Sequence, residues 1–529
     1  MTLVIKGGGN LKTSRVSNSL KNMGSGVFVY LINMLFQFLN RLLFLRYLDI
    51  EYLGINGLFS NILSMLNIAE LGIAGAMVYA LYKPLSEQNT EELKSIMFLY
   101  KKLYRFVGIF VLGIGLLVTP FLSYLINTED VGHIPYLQLY FILYVLDAGV
   151  SYFLSYKRSI IICNQQSFIV NGTNFLKIVL TNILQMIFLV LTRNYFIYLL
   201  IRVWCTFGEN VLISFMANRQ YPYLKEKATM PAPDISHKIK KNILAMSMHK
   251  VGAVVVFGTD NIIISKFVSL AATGLYSNYV LITNAAASLL TQFFTAITAS
   301  VGDYLVEKKE HCEDIYRMYK NILFINFCLY YLVSLGIYIC MQNFISIWLG
   351  NQYLLSNGVL VCIVLNFFSL GIRKTTMVFK DASGLFWKDR FKPLLEAGGN
   401  LIFSIPLAIH FGIAGTIMGT IITNILISGS IEAYITYKYL FKKKVIRFFI
   451  VELEYYLILL VSLLVCGTIA SRIGENNLIS MMVRGLVSVG FSVSVIIAIF
   501  FRTEEFKYVK KIGFELIHKA CRKVMGGLE

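Results

Sequence analysis

Charged side chains inside long apolar stretches are the residues of this sequence with the clearest capacity for chemistry. In a bilayer such a group costs roughly 2.5–3.5 kcal/mol on insertion scales, so it normally faces a cavity, a partner or a path for water. There a cation can bind an anionic group, and an acid can bind a cation or carry a proton. These residues are Arg41, Glu70, Asp147, Lys177, Arg202, Glu209, Lys250, Asp260 and Arg484, with His249 beside Lys250 and with Glu396 and Glu432 nearer the ends of their stretches.

Two of the cations stand near the predicted cytoplasmic ends of their stretches. Lys177 and Lys250 each lie about 9 Å from that end at 1.5 Å of rise per residue, where they are placed to receive an anionic head group. The alternatives are that either lysine snorkels to the interface and that His249 is a hydrogen-bonded interior residue. The full set of predicted substrate-binding residues is Arg41, Lys177, Arg202, His249 and Lys250.

Four acids are candidates for a gate or for ion coupling: Glu70, Asp147, Glu209 and Asp260. Arg41 and Asp260 both lie about 9 Å below the predicted outer ends of their stretches, so we expect them to meet as an outer gate when the cavity opens inward. The alternative is that each pairs within its own bundle. Glu70 is either a structural partner for a cation or a protonatable group. Arg202 and Glu209 are seven residues apart on one helical face, which predicts a shared polar track.

The sequence contains none of the common enzyme motifs. The sequence contains no P-loop, no dinucleotide-binding fingerprint before a strand–helix unit, no HExxH and no GxSxG, so we predict that the protein is not an enzyme. The eight cysteines form no CxxC pair, and we expect neither disulfides nor a metal site. No cofactor is expected, and coupling to a proton or sodium gradient stays open.

The elements that carry these charges are predicted to be transmembrane helices. Hydrophobic residues make up 57% of the 529 residues and charged residues only 15%, and the apolar runs match the thickness of a bilayer. The sequence therefore predicts an all-α polytopic membrane protein. Its 14 predicted spans are about 24–47, 53–81, 103–127, 134–156, 170–192, 195–218, 243–267, 275–303, 321–348, 355–372, 393–411, 413–436, 450–471 and 479–501.

The loops alternate between lysine-rich and nearly cation-free, which predicts the orientation. Most of the 48 lysines and arginines fall on one side, and the other side holds only Arg46, Arg193, Lys266 and Arg472. By the positive-inside rule both termini are cytoplasmic, in a multi-pass protein of the cell membrane. The net charge of +19 sits at membrane edges rather than on one patch, so we expect no nucleic-acid partner.

A polar, basic segment at 221–242 divides the spans into two sets of six and a final pair. The predicted organisation is an N-terminal lobe at 1–220, a linker at 221–242, a second lobe at 243–441, spans 13 and 14 at 442–502 and a basic cytoplasmic tail at 503–529. A short match, Gly57–Asn61 (GLFSN) with Gly274–Asn278 (GLYSN), occurs at equivalent points of both lobes. Each lobe has an even number of spans, so the repeats would be parallel, with the substrate site in a central cavity between them.

Three stretches, Asn40–Ala76, Ser155–Ile162 and His249–Asn278, resemble the Wzx-type polysaccharide flippases of the MOP superfamily, which are related to the MurJ lipid II flippases. The resemblance covers almost the whole chain. It implies two six-helix lobes around a V-shaped cavity, alternating access, and cavity arginines on the first helices, a role that Arg41 fits. Spans 2 and 8 contain no arginine.

The resemblance implies a transporter that flips undecaprenyl-diphosphate-linked oligosaccharide units from the cytoplasmic to the outer leaflet for surface polysaccharide export. The expected partners are that substrate, membrane lipids and polysaccharide-assembly proteins, and the sequence carries no signature of an oligomeric state. One alternative is a MATE-like cation or drug antiporter of the same superfamily. The other is an intramembrane glycosyltransferase or polymerase, which the very short outer loops disfavour.

Overall fold

The computed structural model describes residues 10–70, 72–128, 130, 134–244, 259–307, 311–385, 388–473, 477–511 and 515. Every regular element within these ranges is a helix. The chain divides into two compact units, Met1–Gly274 and Leu275–Glu529.

The first unit is built from long helices joined by short turns. Helix α1 packs along α7, α4 packs along α5, and α8 packs against both α5 and α7. The helices are α1 (Asn10–Tyr47), α2 (Ile50–Leu66), α3 (Ile73–Ser86), α4 (Thr90–Val118), α5 (Leu137–Ser155), α6 (Arg158–Cys163), α7 (Ser167–Thr192), α8 (Tyr195–Gln220), α9 (described at 233–244), α10 (Asp260–Phe267) and the start of α11 (Leu270–Glu307).

The second unit is centred on α12, which packs against α13, α16 and α17. Two π-helical segments, Asn424–Gly429 and Thr436–Phe441, flank the short helix α15 and are continuous with it in sequence. The helices after α11 are α12 (Cys312–Trp348), α13 (Asn357–Ala382), α14 (Lys392–Thr423), α15 (Ser430–Ile435), α16 (Ile446–Ser471) and α17 (Leu478–Phe500).

The predicted fold class, an all-α polytopic membrane protein, is confirmed. Within the described residues ten helices are long and apolar enough to cross a membrane. One of them, Lys392–Phe441, covers two predicted spans and is broken between them at Gly412, whose φ of 58° lies in the left-handed region. Span 2 is divided into α2 and α3, and part of span 7 falls at 245–258, outside the described residues. The helices are broadly consistent with fourteen crossings.

The outer surfaces of the helices are apolar. Leu191 on α7, Leu464 on α16 and Leu486 on α17 are each more than 70% exposed, and many other large apolar side chains are exposed with them. Soluble proteins rarely leave contiguous apolar surface of this extent uncovered. This surface is therefore suited to lipid, and the polar side chains are turned inward.

Candidate functional site

A break in the second predicted span positions the first acidic residue of the site. Asn67–Glu70 forms a 3₁₀ turn after α2, and Gly72, with φ of 93°, precedes α3. Two tyrosines hold this turn in place. The Tyr104 hydroxyl donates to Glu70 Oε1 at 2.6 Å, and the Tyr152 hydroxyl donates to Asn67 Oδ1 at 2.9 Å. The break thus turns the Glu70 carboxylate inward, where Tyr104 of α4 donates to it, and Tyr152 of α5 holds the turn through Asn67.

A polar cavity of about 860 Å³ lies inside the first unit and includes this turn in its wall. Residues from each of the helices α1 to α8 line it, and the charged ones are Glu70, Asp147, Arg158, Lys177 and Arg202. The neutral polar lining residues are Asn33, Gln37, Ser60, Ser64, Asn67, Tyr100, Tyr104, Ser151, Tyr152, Ser155, Ser159, Thr181, Asn182 and Thr206. We call this feature the first-unit cavity.

One side of the first-unit cavity holds an ion pair between α5 and α8. Arg202 Nε donates to Asp147 Oδ2 at 2.9 Å, and the guanidinium lies over the Tyr144 ring at 4.8 Å from its centroid. The other carboxylate oxygen, Asp147 Oδ1, is buried and has no hydrogen-bond partner among the described residues. The Arg202 side chain is 36% exposed and the Asp147 side chain 12%, so the arginine is the more accessible member of the pair.

A second ion pair lies between α6 and α8. Arg158, the first residue of α6, pairs with Glu209 and also donates to Asn210 Oδ1 at 2.8 Å. The Glu209 side chain is only 2% exposed and accepts a further bond from Thr173 at 3.4 Å. Glu209 is therefore a buried counter-ion behind the cavity wall, and Arg158 is the member of the pair that faces the cavity.

Lys177 on α7 differs from the other cavity cations. The structure gives it neither an ion pair nor a hydrogen bond within the described part of the chain. It interacts electrostatically with Glu209 and Asp147, but Arg158 and Arg202 already neutralise these acids. Lys177 is thus a half-buried cation whose charge is left to water or to a ligand.

No family model and no protein with a curated description matches the chain in sequence. Solved structures match it in fold. The lipid II flippase MurJ in an inward closed conformation aligns with a TM-score of 0.62 and 15% identity, over 90% of this chain and 99% of that chain. An inward-facing multidrug resistance MATE family transporter of the MOP superfamily aligns with a TM-score of 0.56 and 14% identity, over 77% and 94%.

A mutant of the Vibrio cholerae MATE transporter VcmN aligns with a TM-score of 0.51 and 16% identity, over 82% of this chain and 99% of that chain. This chain has the MurJ and MATE fold. Identities of 13–16% among these structures establish the fold alone, because one fold supports many functions.

The structure brings together four of the residues singled out from the sequence, since Lys177, Arg202, Glu70 and Asp147 all line the first-unit cavity. Glu209 lies directly behind them, bound to Arg158. This arrangement collects charges from four separate helices and the turn after α2, which sequence spacing alone could not show.

The other predicted site residues lie elsewhere. Arg41 on α1 is absent from the described lining of the cavity, and Asp260 begins α10, which packs against α2. Their pairing as a gate stays a prediction. His249 and Lys250 lie outside the described residues.

Arg158 is the functional candidate that sequence reasoning missed. It stands in the stretch Ser155–Ile162, between the predicted spans at 134–156 and 170–192, where the sequence predicts a loop. In the structure this stretch forms α6, which enters the cavity wall. The available sequence signal for such a short inserted helix is the run of three isoleucines, Ile160–Ile162, after the Lys157–Arg158 pair.

Proposed function

We propose that the protein is a membrane transporter of the MOP superfamily that flips lipid-diphosphate-linked oligosaccharide from the cytoplasmic to the outer leaflet by alternating access, as Wzx-type flippases do. The observation that carries this proposal is the first-unit cavity, with an unneutralised lysine beside a partly exposed arginine. Both termini are cytoplasmic in this proposal, and the product serves surface polysaccharide export.

Lys177 and Arg202 are suited to bind the diphosphate of such a substrate. Lys177 supplies a compact point charge with three donors, and the Arg202 guanidinium supplies a planar set of donors. Asp147 holds Arg202 in place through Nε at 2.9 Å, so the arginine is oriented before substrate arrives. Arg41, Lys250 and His249 remain candidates for contacts at other stages of transport.

The glycan is the part that the neutral lining suits. The hydroxyl and amide side chains around the cavity can both donate and accept, as sugar hydroxyls require. A volume of about 860 Å³ falls within the range of roughly 300–1,000 Å³ found for ligand pockets. The prenyl tail stays in the surrounding lipid, against the apolar outer faces of the helices.

A second candidate function, cation or drug antiport, is favoured by Glu70. This acid lines the cavity and is bound by the neutral hydroxyl of Tyr104 at 2.6 Å, so it has the capacity to bind a cation. The remaining charges disfavour this function because three cations border the same space and Asp147 already has an arginine partner.

The test is complementation of a gene deletion, read out by lipid extraction and by surface glycan. We expect lipid-diphosphate oligosaccharide to accumulate in the deletion strain and surface glycan to fall. Wild type and Lys83→Gln should restore both, because Lys83 is 78% exposed and lies outside the cavity lining. Lys177→Gln should restore export to about one tenth or less, since a hydrogen bond to a charged group is worth roughly 1.5–3 kcal/mol.

Membrane abundance of each variant is measured by immunoblot so that export is compared per molecule. Full complementation by Lys177→Gln at normal abundance would remove Lys177 from the binding site. An unchanged lipid-linked pool in the deletion strain, together with increased dye or drug sensitivity, would replace the flippase with the antiporter.

A further inference from the structure

A second group of buried charges lies in the second unit. Arg373 on α13 donates from Nε and Nη2 to the two carboxylate oxygens of Glu432 at 3.2 and 3.1 Å, and from Nη1 to Asn424 Oδ1 at 2.5 Å. Lys392 also bonds to Glu432, and Glu396 lies 3.5 Å from Arg373 and 3.6 Å from Lys392. We call these five residues the Arg373 cluster.

The Arg373 cluster is electrically balanced and closed to solvent. Its two cations face its two carboxylates, and none of its charged side chains is more than 10% exposed. A buried ion network persists only when its charges are matched in this way, because each uncompensated charge carries a desolvation penalty of several kcal/mol. The cluster therefore has no surplus cation to offer to a further acid.

Helix α16 nevertheless presents a further acid, Glu452, to the same region. Its neighbours along one face of α16 fix its position: Phe448 contacts Tyr437 with ring centroids 6.0 Å apart, and Tyr456 contacts Phe368 at 5.4 Å. Glu452 stands midway between these two contacts, one turn from each. It is 6% exposed, and its two aromatic neighbours on α16 pack against α13 and against the π-helical segment Thr436–Phe441.

The charged and titratable groups around Glu452 come from four helices. Arg373 on α13 attracts its ionised form, and Glu432 on α15 repels it. Tyr319 on α12 and Tyr456 on α16 itself interact with it as neutral phenols. Lys374 and Lys380, also on α13, interact with Glu432, and Lys380 is already paired with Asp389.

Glu452 is thus a fifth charge beside a balanced network of four. The described part of the chain gives it neither an ion pair nor a hydrogen bond. A buried carboxylate without a partner normally takes up a proton instead of keeping its charge. In the π-helical segment Asn424–Gly429, which precedes α15 and accepts a hydrogen bond from Arg373 through Asn424 Oδ1, the atoms Asn424 Nδ2 and Ser428 Oγ are buried without hydrogen-bond partners among the described residues. They leave hydrogen-bonding capacity for water, the carrier of a proton.

We propose that Glu452 is a proton-binding site and that its protonation on one side of the membrane and deprotonation on the other drives the transport cycle. One proton adds to one carboxylate oxygen, and the same proton leaves in the later step, so no other reactant is needed. The inference deepens the proposed function and rests on it for the link to transport. The binding of the proton itself does not depend on the substrate.

The acid two residues further along α16 provides a matched control. Glu454 has the same chemistry and nearly the same depth, but it is exposed. Glu452→Gln mimics the protonated carboxyl in shape and neutrality, and Glu454→Gln makes the same change at the surface.

The first readout is proton binding by purified full-length protein in detergent, measured by infrared difference spectroscopy across a pH titration. We expect a protonated-carboxyl band that is present in wild type and Glu454→Gln and that is lost in Glu452→Gln. An unchanged band in Glu452→Gln overturns the proton site, whatever the protein transports.

The second readout is transport in proteoliposomes that contain lipid-diphosphate oligosaccharide, with and without a pH gradient. Glu452→Gln should lose the acceleration by the gradient and keep exchange without a gradient, while Glu454→Gln should behave as wild type. A gradient response that survives in Glu452→Gln overturns coupling through this residue. Absence of substrate flipping by wild type, with the infrared band intact, would contradict the proposed function and leave the proton site standing.

Discussion

The two charged regions of the molecule use the same side chains in opposite ways. In the first-unit cavity the charges border about 860 Å³ of open space, Arg202 is 36% exposed, and Lys177 has neither an ion pair nor a hydrogen bond within the described residues. In the Arg373 cluster every charged side chain is at most 10% exposed and each one has an opposite partner.

This difference shows which charges are available for binding. A cation that keeps its charge without a partner must be solvated by water or by a ligand, so it marks a binding surface. A fully buried cation must be matched within the protein, so it holds helices together. The cluster joins α13, α14 and α15, whereas in the first-unit cavity Lys177 borders open space with neither an ion pair nor a hydrogen bond among the described residues.

The largest effect is expected from unbalancing the cluster. Glu432→Ala leaves Arg373 and Lys392 buried without their shared carboxylate, and removing one partner of a buried ion pair typically costs about 3–5 kcal/mol. We expect a fall of this size in the free energy of unfolding, measured by denaturant titration in detergent. Glu454→Ala, at an exposed position, serves as the control.

If Glu432→Ala changed the unfolding free energy no more than Glu454→Ala did, the Arg373 cluster would not differ from the first-unit cavity in how its charges are stabilised. The cluster charges would then be solvated like those of the cavity, and the charge balance that isolates Glu452 would no longer hold.

An intermediate effect is expected at the Arg158–Glu209 pair, which combines features of both regions. Glu209 is buried, but Arg158 is 27% exposed to the cavity, so water can compensate part of the loss when the arginine is removed. We expect Arg158→Met, which keeps the unbranched apolar part of the side chain and removes its charge, to cost about 1–3 kcal/mol of unfolding free energy, less than Glu432→Ala.

The same denaturant titration ranks the two substitutions. An Arg158→Met cost equal to that of Glu432→Ala would show that the cavity wall is as closed as the cluster. Arg219→Met, at an exposed position in the last turn of α8, provides the comparison for a surface arginine.

The transmembrane pattern was readable from the sequence because apolar runs and loop charges report on the bilayer directly. The sequence predicts the ends of the helices less well, and it therefore does not predict the Arg373 cluster, which lies at two of these ends. Predicted spans at 355–372 and 393–411 stop one residue short of Arg373 and start one residue after Lys392. In the structure α13 runs to Ala382 and α14 starts at Lys392, because paired charges can extend a buried helix beyond its apolar segment.

The cavity was readable only in part. Lys177 and Arg202 stood out because each is a cation within an apolar run, but which neighbours neutralise them depends on tertiary packing. The pairing of Arg202 with Asp147, 55 residues away, and of Arg158 with Glu209 could not be derived from helical spacing. The break at Gly72 was also hidden, because small residues in this stretch are equally typical of close helix packing.

The smallest effect is expected at the edge of the cavity, where water can replace a lost protein group. Tyr104→Phe removes the hydroxyl that donates to Glu70 at 2.6 Å, but Glu70 lines the cavity and can be hydrated there, so we expect a cost of about 1 kcal/mol in unfolding free energy. Tyr124→Phe, at a position 70% exposed, should cost less. If Tyr104→Phe lowered the unfolding free energy by about 3 kcal/mol, Glu70 would be as inaccessible to water as Glu432. Glu70 would then stabilise the fold instead of forming part of the binding surface.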